Sequence, residues 1–150
     1  KVLYNQNKNK KITIIPKFDA DYSRVRGNTP RLCQVFINLI KNAIDAIGER
    51  EGHITIETVN KSFPTEGNGP AVATIKMVVC RIIDDGEGMN KKDLHNIFKP
   101  FFTTKPQGKG IGLGLFIVHE IVKDHKGSIQ VDSSPGSGTI FTLIFPPHQQ

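Results

Sequence analysis

Two periods of apolar residues alternate along the chain, and the change from one to the other marks the elements. Residues 11–15 (Ile-Thr-Ile-Ile after Lys11) read as a short strand that Pro16 stops. Thr29-Pro30 then opens a helix, with proline at a first-turn position where a missing N–H costs nothing. Apolar residues at helical spacing carry that helix to about Ile47, and Gly48 ends it. His53 to Val59 alternates as a strand, and Asn60 to Pro70 is a polar loop rich in Gly and Pro. Val72 to Ile83 is a long strand with Ile75, Met77, Val79 and Ile83 on one face. The glycine-punctuated stretch 84–114 has room for one short helix near Lys91 to Ile97. A second long helix covers about Gly112 to His125 and is closed by Gly127. Ser128 to Asp132 and Thr139 to Phe145 pair as a hairpin across Ser-Ser-Pro-Gly-Ser-Gly.

The strands mostly follow one another instead of alternating strictly with helices. That pattern predicts an α+β fold, one sheet layered against helices, and argues against a doubly wound parallel sheet. No internal repeat and no low-complexity tail is present. At 150 residues the chain fits one domain, and its 37% hydrophobic and 23% charged residues allow a sizeable core. Its apolar runs are far shorter than the ~20 residues that span a bilayer. No basic-then-apolar leader marks it for export, and Lys-Val-Leu-Tyr-Asn reads like a cut from a longer protein.

Twenty Lys and Arg against fourteen Asp and Glu give a net charge of +6, which favours polyanionic ligands. Basic residues are not interleaved with aromatic ones as in single-strand binders, so nucleic acid is not the expected partner. Cys33 and Cys80 lie far apart within apolar patterns, without Cys/His ligand spacing, and are expected to be buried reduced thiols.

Candidate chemistry begins on the first helix. At about 100° per residue, Arg31, Gln34, Asn38, Lys41, Asn42 and Asp45 fall on one narrow stripe, and almost everything else is apolar. The stripe is either a solvated face or the wall of a cavity. Asparagine is a poor helix former, and Asn38, Asn42 and Asp45 offer oxygens that suit Mg²⁺, a hard cation that shares substrate phosphates. Asp84-Asp85-Gly86-Glu87-Gly88 puts a carboxylate at a strand end where the backbone turns and a flat ligand can approach, although a simple turn explains it as well. Gly108-Lys-Gly-Ile-Gly-Leu-Gly-Leu alternates glycine with other residues before a long helix, a pattern suited to binding phosphate on exposed N–H groups. Neither the G-x-x-x-x-G-K-[ST] loop nor a G-x-G-x-x-G after a strand occurs.

Taken in order, these pieces resemble the catalytic domain of histidine kinases. Asn38-Leu-Ile-Lys-Asn42-Ala-Ile-Asp-Ala46 resembles the N box, Asp84-x-Gly86-x-Gly88 the G1 box and Phe98-Lys-Pro-Phe-Phe102 the F box. Gly110-x-Gly112-x-Gly114 is similar to G2, and Gly136-Ser-Gly138-Thr139 matches the short glycine element near the end of that domain. The resemblance covers roughly residues 10–146. It implies the two-layer ATP-binding sandwich shared with type II topoisomerases, Hsp90-like chaperones and mismatch-repair ATPases. That fold has a mixed, mostly antiparallel sheet with three main helices on one face. It also implies ATP and Mg²⁺ as cofactors. Asn42 would hold the metal, and Asn38 would lie near the phosphates. Asp84 would accept from the adenine amino group, with Thr139 nearby, and Gly86, Gly88 and Met89 would contact the nucleotide. Gly110, Ile111, Gly112, Leu113, Gly114 and Leu115 would wrap the triphosphate. Residues 89–109 would form a lid bringing Thr104, Lys105 and Lys109 to the phosphates. Phe98, Phe101 and Phe102 would anchor it, and Thr103 to Lys109 would stay mobile without nucleotide.

Two departures from the family pattern bear on chemistry. Hydrolysing relatives place Glu where this chain has Asn38, an amide that takes no proton, so the chain is expected to transfer the phosphoryl group to another protein. Asp45 stands where many of these kinases have a basic residue, so Lys105 or Lys109 would supply the missing phosphate contact, and Lys105 joins Asn38 and Asn42 as a catalytic candidate. None of His53, His95, His119, His125 or His148 sits in a phosphoacceptor context, and His119 and His125 are expected on a helix surface. The resemblance thus implies the ATP-binding part of a cytoplasmic two-component sensor kinase. Its partners would be its own upstream dimerisation helices, a second copy of the full-length protein and a response regulator. The rival readings are a clamp-type ATPase, a non-catalytic nucleotide-binding module and a basic nucleic-acid-binding domain.

Overall fold

The computed structural model describes residues 12–65, 74–108 and 110–148. The elements are β1 (Ile12–Phe18), α1 (Thr29–Ile47), β2 (Gly52–Pro64), β3 (Thr74–Asp84), α2 (Lys91–Leu94), α3 (Gly114–Asp124), β4 (Ser128–Ser133) and β5 (Thr139–Phe145). The strands form one mixed sheet in the order β1-β2-β3-β5-β4, with β1 parallel to β2 and the other neighbours antiparallel.

Residues paired across strands share a face, so the register defines the inner side of the sheet. Ile56 and Phe141 oppose Ile82, Leu143 opposes Cys80, and Ile129 and Val131 oppose Leu143 and Phe141. On this face pack Val35, Leu39, Ala43 and Ile47 of α1 with Val118, Ile121 and Val122 of α3. The face of β3 expected from its spacing, Ile75 to Ile83, is the other one. Val79 is buried there, yet the helix-covered core is built on Cys80 and Ile82. Burial pushes the Cys80 thiol up to about 12. Cys33, expected to be buried as well, is exposed.

The α+β sandwich is as expected, with three helices among the described residues, of which two are long. Between them α2 is a single turn capped by Asn90, whose side chain accepts from the Asp93 N–H. It stops short of the expected Ile97. The chain goes on in three-residue turns (Lys99 N–H to Asn96 O, Phe102 N–H to Lys99 O), because Pro100 disfavours helical backbone in the residue before it. Pro16 does not stop β1 either. That strand lies at the sheet edge, where a missing N–H can face away from the neighbour, and it continues to Phe18. β2 likewise runs past Val59 to Pro64, so Asn60 to Pro64 is strand and not loop; the rest of that expected loop lies largely outside the described residues.

The ends of the helices carry much of the architecture. Asn28 caps α1, its side chain accepting from Arg31 N at 3.0 Å and its carbonyl from Leu32 N at 3.0 Å. The Asn28 N–H in turn donates to Nε2 of His125 at 3.0 Å, while Nδ1 of His125 meets Ile121 O at 2.7 Å. A carbonyl only accepts, so Nδ1 carries the hydrogen and the ring is neutral with Nε2 as acceptor. His125 is 9% exposed, a structural clasp between α1 and α3 and not the surface residue expected. The residue that ends α3 in left-handed backbone is Lys126 (φ 56°), with the Lys126 and Gly127 N–H groups bonded to Lys123 O and Val122 O. Gly127 serves close packing instead, since a Cβ there would lie 2.7 Å from the Phe145 ring.

Candidate nucleotide-binding site

The polar residues singled out in the sequence gather around one face of α1. Arg31, Gln34, Lys41 and Asp45 are exposed, while Asn38 and Asn42 are half-buried. Cys33 and Ile37 are also exposed, so the helix turns a broader side to solvent than its composition predicts. Asn38 reaches across to the start of α3, where its Nδ2 lies 3.5 Å from Gly114 O. One turn further on, the Asn42 side chain has no hydrogen-bond partner among the described residues. An amide oxygen, half-buried and uncommitted, fits a hard cation that shares its shell with phosphate oxygens.

The far end of the stripe meets two other segments. Glu87 N–H donates to Ala46 O at 3.0 Å, which fastens the loop after β3 to the last turn of α1. Lys105 reaches Asp45 with an Nζ–Oδ2 distance of 2.5 Å. Lys105, expected in a lid, and Asp45, expected to leave a phosphate contact unfilled, are therefore partners in a half-exposed ion pair, the kind worth about 0–1 kcal/mol. Gly110 lies beside Lys105, with a would-be Cβ 3.2 Å from the Lys105 Cδ. Thr104 and Ile111 are exposed, Ile111 to 75%. Lys109 lies outside the described residues.

Asp84 ends β3 directly opposite Thr139 of β5, and both are buried, at 5% and 4% exposure. Burial pushes the Asp84 carboxyl up from its ordinary value, against the Gly86 and Thr139 N–H groups that favour its charged form. The Gly86 bond to Asp84 Oδ1 measures 2.8 Å. Asp85 next door behaves oppositely. Burial pulls it slightly up, but the backbone and side chain of His53 and the charge of Arg50 outweigh that and hold it below its ordinary value. Asp85 thus staples the start of β2, leaving Asp84 as the acid directed into the fold. Gly138 has a reason that spacing alone did not give: φ is 76° and a Cβ would strike the Asp84 carbonyl. Gly88 and Met89 follow along the same edge, with Met89 packed against the core and its N–H bonded to Ser133 Oγ at 2.9 Å.

The glycine run before α3 is shaped by the phenylalanine segment. Gly112 has φ 74°, and its Cα side lies on the Phe101–Phe102 backbone, where a Cβ would come within 2.5 Å of the Phe101 carbonyl carbon. This left-handed residue delays α3 to Gly114, two residues later than expected. Phe98 and Phe102 pack on the core as expected of anchors. Phe101 does not; it stands 71% exposed with φ 65°. Leu113 takes the N-cap position of α3 without a side-chain hydrogen bond, and no acid sits in the first turn. Leu115 packs inward, so the uncapped N–H groups of Gly114 to Phe116 open beside Asn38.

A helix start without a side-chain cap thus lies beside Asn38, on the side of the sheet that carries the buried Asp84 and Thr139, and relatives decide which family this arrangement belongs to. The family model of histidine kinase-, DNA gyrase B- and HSP90-like ATPases matches residues 27–149. The chain belongs to this family. Within it, the chain is 38% identical over 135 residues to sporulation kinase A of Bacillus subtilis, covering 90% of this chain and 20% of that protein. It is 40% identical over 122 residues to the sensor histidine kinase ZraS of Escherichia coli K12, covering 81% of this chain and 23% of ZraS. Among solved structures, the catalytic domain of the histidine kinase ThkA matches with a TM-score of 0.70 and 31% identity, over 91% of this chain and 79% of that one. A structure of ThkA with a response regulator, TrrA, matches at TM-score 0.66 and 28% identity, over 91% of this chain and 34% of that chain. The chain thus spans about a fifth of the length of the curated relatives. These relatives place it with the catalytic domains of histidine kinases. Among the described residues no helix is long and apolar enough to cross a membrane.

Proposed function

We propose that this chain binds ATP with Mg²⁺ and presents the γ-phosphoryl group to a histidine on a separate dimerisation domain, as the cytoplasmic catalytic part of a two-component sensor kinase. The full-length protein would act as a homodimer and pass the phosphoryl group on to a response-regulator aspartate. The observation that carries this reading is the open start of α3 beside Asn38, with Asn42 one turn along the same stripe and the buried Asp84 and Thr139 on the helix-covered face of the sheet.

Each residue then has a task. Asp84, ionised, accepts from the exocyclic amine of adenine, and Thr139 lies beside it. The backbone N–H groups of Gly110 to Leu115 and the positive end of α3 receive the phosphates. Asn42 offers its amide oxygen to Mg²⁺, which when bound neutralises phosphate charge and orients the transferring group. Lys105 leaves Asp45 for the more highly charged triphosphate. Asn38, an amide committed toward Gly114 O, cannot activate water, which favours transfer over hydrolysis. A neutral imidazole is already nucleophilic, so positioning and charge neutralisation account for the rate. The test mixes this chain and Mg·ATP with dimerisation helices carrying the acceptor histidine. Acid-labile phosphate on that histidine is the expected result. Steady release of inorganic phosphate with none on the helices would overturn the proposal.

A further inference from the structure

A row of polar side chains crosses the end of the sheet on its inner face. Register places Ser133 of β4 opposite Thr139 of β5, and Thr139 opposite Asp84 of β3. Ser133 Oγ touches three groups: Gly138 O at 2.8 Å, the Met89 N–H at 2.9 Å and Thr139 Oγ1 at 3.0 Å. A hydroxyl has one hydrogen and two lone pairs, so these contacts have a single consistent assignment. The carbonyl of Gly138 only accepts, so it takes the one hydrogen. The Met89 amide only donates, so it fills one lone pair. The second lone pair is then left for the Thr139 hydroxyl, which must donate to Ser133.

From this accounting we infer that Ser133 is a specificity-determining positioning residue: it turns the Thr139 hydroxyl into an acceptor beside the Asp84 carboxylate, so that this end of the site reads an amino group on the base. The inference rests on the nucleotide-binding role proposed above. Asp84 and Thr139 then present acceptors alone, and an exocyclic –NH₂ has hydrogens to give them. A base with a carbonyl at that position meets lone pairs with lone pairs and leaves buried acceptors unpaired, which is the costly case. Without Ser133 the Thr139 hydroxyl is free to rotate and donate, and discrimination by that group is lost.

The experiment titrates the 150-residue chain with ATP and with GTP, in the presence of Mg²⁺, for Ser133→Ala, Ser133→Thr, Thr139→Val and the Ser133→Ala/Thr139→Val double variant. Ser133→Ala is expected to lower the ATP/GTP affinity ratio about fivefold, the worth of one hydrogen bond. Ser133→Thr, which keeps the hydroxyl, restores the ratio. In the Thr139→Val background, Ser133→Ala leaves the ratio where it was, because the residue it acts through is gone. Equal loss for both nucleotides, or an effect that persists in the Thr139→Val background, overturns the inference, since either would mean a structural role alone. Should Ser133→Ala unfold, the Ser133→Thr and Thr139→Val ratios still decide: the first must match wild type and the second must fall. Asp84→Asn separates the two levels. If wild type prefers ATP and Asp84→Asn loses that preference while Ser133→Ala keeps it, only the role of Ser133 is wrong. If wild type shows no preference, the base-reading role of Asp84 fails and the inference with it.

Discussion

The two long helices begin in opposite ways. At the start of α1, Pro30 lacks an N–H, the Asn28 side chain and carbonyl take the next two, and the Asn28 N–H itself is held by His125. At the start of α3, a glycine run leads to Leu113, which offers no side-chain cap, and no acid sits in the first turn. A helix start left open costs stability of order 1 kcal/mol compared with a capped one. The chain therefore caps one helix with its own side chains and leaves the other without a side-chain cap among the described residues. The capped start lies in the architecture that joins α1 to α3. The uncapped one lies beside Asn38, one helical turn from Asn42 on the same stripe.

Breaking the open end is expected to give the largest effect. Asn42→Ala removes the uncommitted amide from the stripe, and Mg²⁺-dependent ATP binding should fall by about 100-fold, the upper end of what losing even an outer-shell partner costs at metal sites. Titration with and without Mg²⁺ measures it, and a variant that keeps the wild-type Mg²⁺ dependence would refute the assignment.

Asp84→Asn comes next. ATP should weaken by ~1.5–3 kcal/mol, the worth of a hydrogen bond to a charged group, with loss of the preference over GTP. The same residue predicts opposite pH trends for binding and stability. Its folded pKa is raised by burial, so the folded empty domain holds this proton more tightly than the unfolded chain does. Acidification through that pKa should raise the Asp84 contribution to stability, whereas ATP affinity should drop as the carboxylate is lost. Differences between wild type and Asp84→Asn in thermal unfolding and in calorimetric titration isolate both trends; parallel trends would count against Asp84 as the base reader.

The closed end should respond in stability alone. Asn28→Ala is expected to cost about 1 kcal/mol in denaturant unfolding while ATP affinity stays within about twofold. A loss of affinity as large as that of Asp84→Asn would mean that the two helix starts do not differ as described.

What the sequence revealed follows from the range of the interactions. The stripe on α1, the acid-glycine turn after β3 and the glycine run before α3 are local patterns, each set within a few residues, and they were legible as candidate site elements. The succession of strands and helices along the chain, and with it the α+β sandwich, was legible for the same reason, whereas the order of the strands in the sheet was not. Contacts between distant residues were not. Asn28 and His125 are 97 residues apart and Lys105 and Asp45 are 60 apart, so a clasp read as a surface histidine, and a lysine read as standing in for Asp45 turned out to pair with it. Ser133 lies in a turn-like Ser-Ser-Pro-Gly string, and only the register of β4 on β5 sets it beside Thr139. The exposure of Cys33 and Phe101 was missed because apolar periodicity marks which residues can be buried, without saying where the sheet ends or where the backbone turns left-handed.

Amide hydrogen exchange, with and without Mg²⁺ and a non-hydrolysable ATP analogue, tests the contrast between the two helix starts most directly. Nucleotide should bring protection to residues 112–117 at the start of α3 and to residues 103–110, where Lys105 exchanges Asp45 for phosphate, and should leave residues 28–33 at the start of α1 unchanged. Protection at 103–110 and 112–117 that is already complete in the empty chain, or equal gains at both helix starts, would contradict the account.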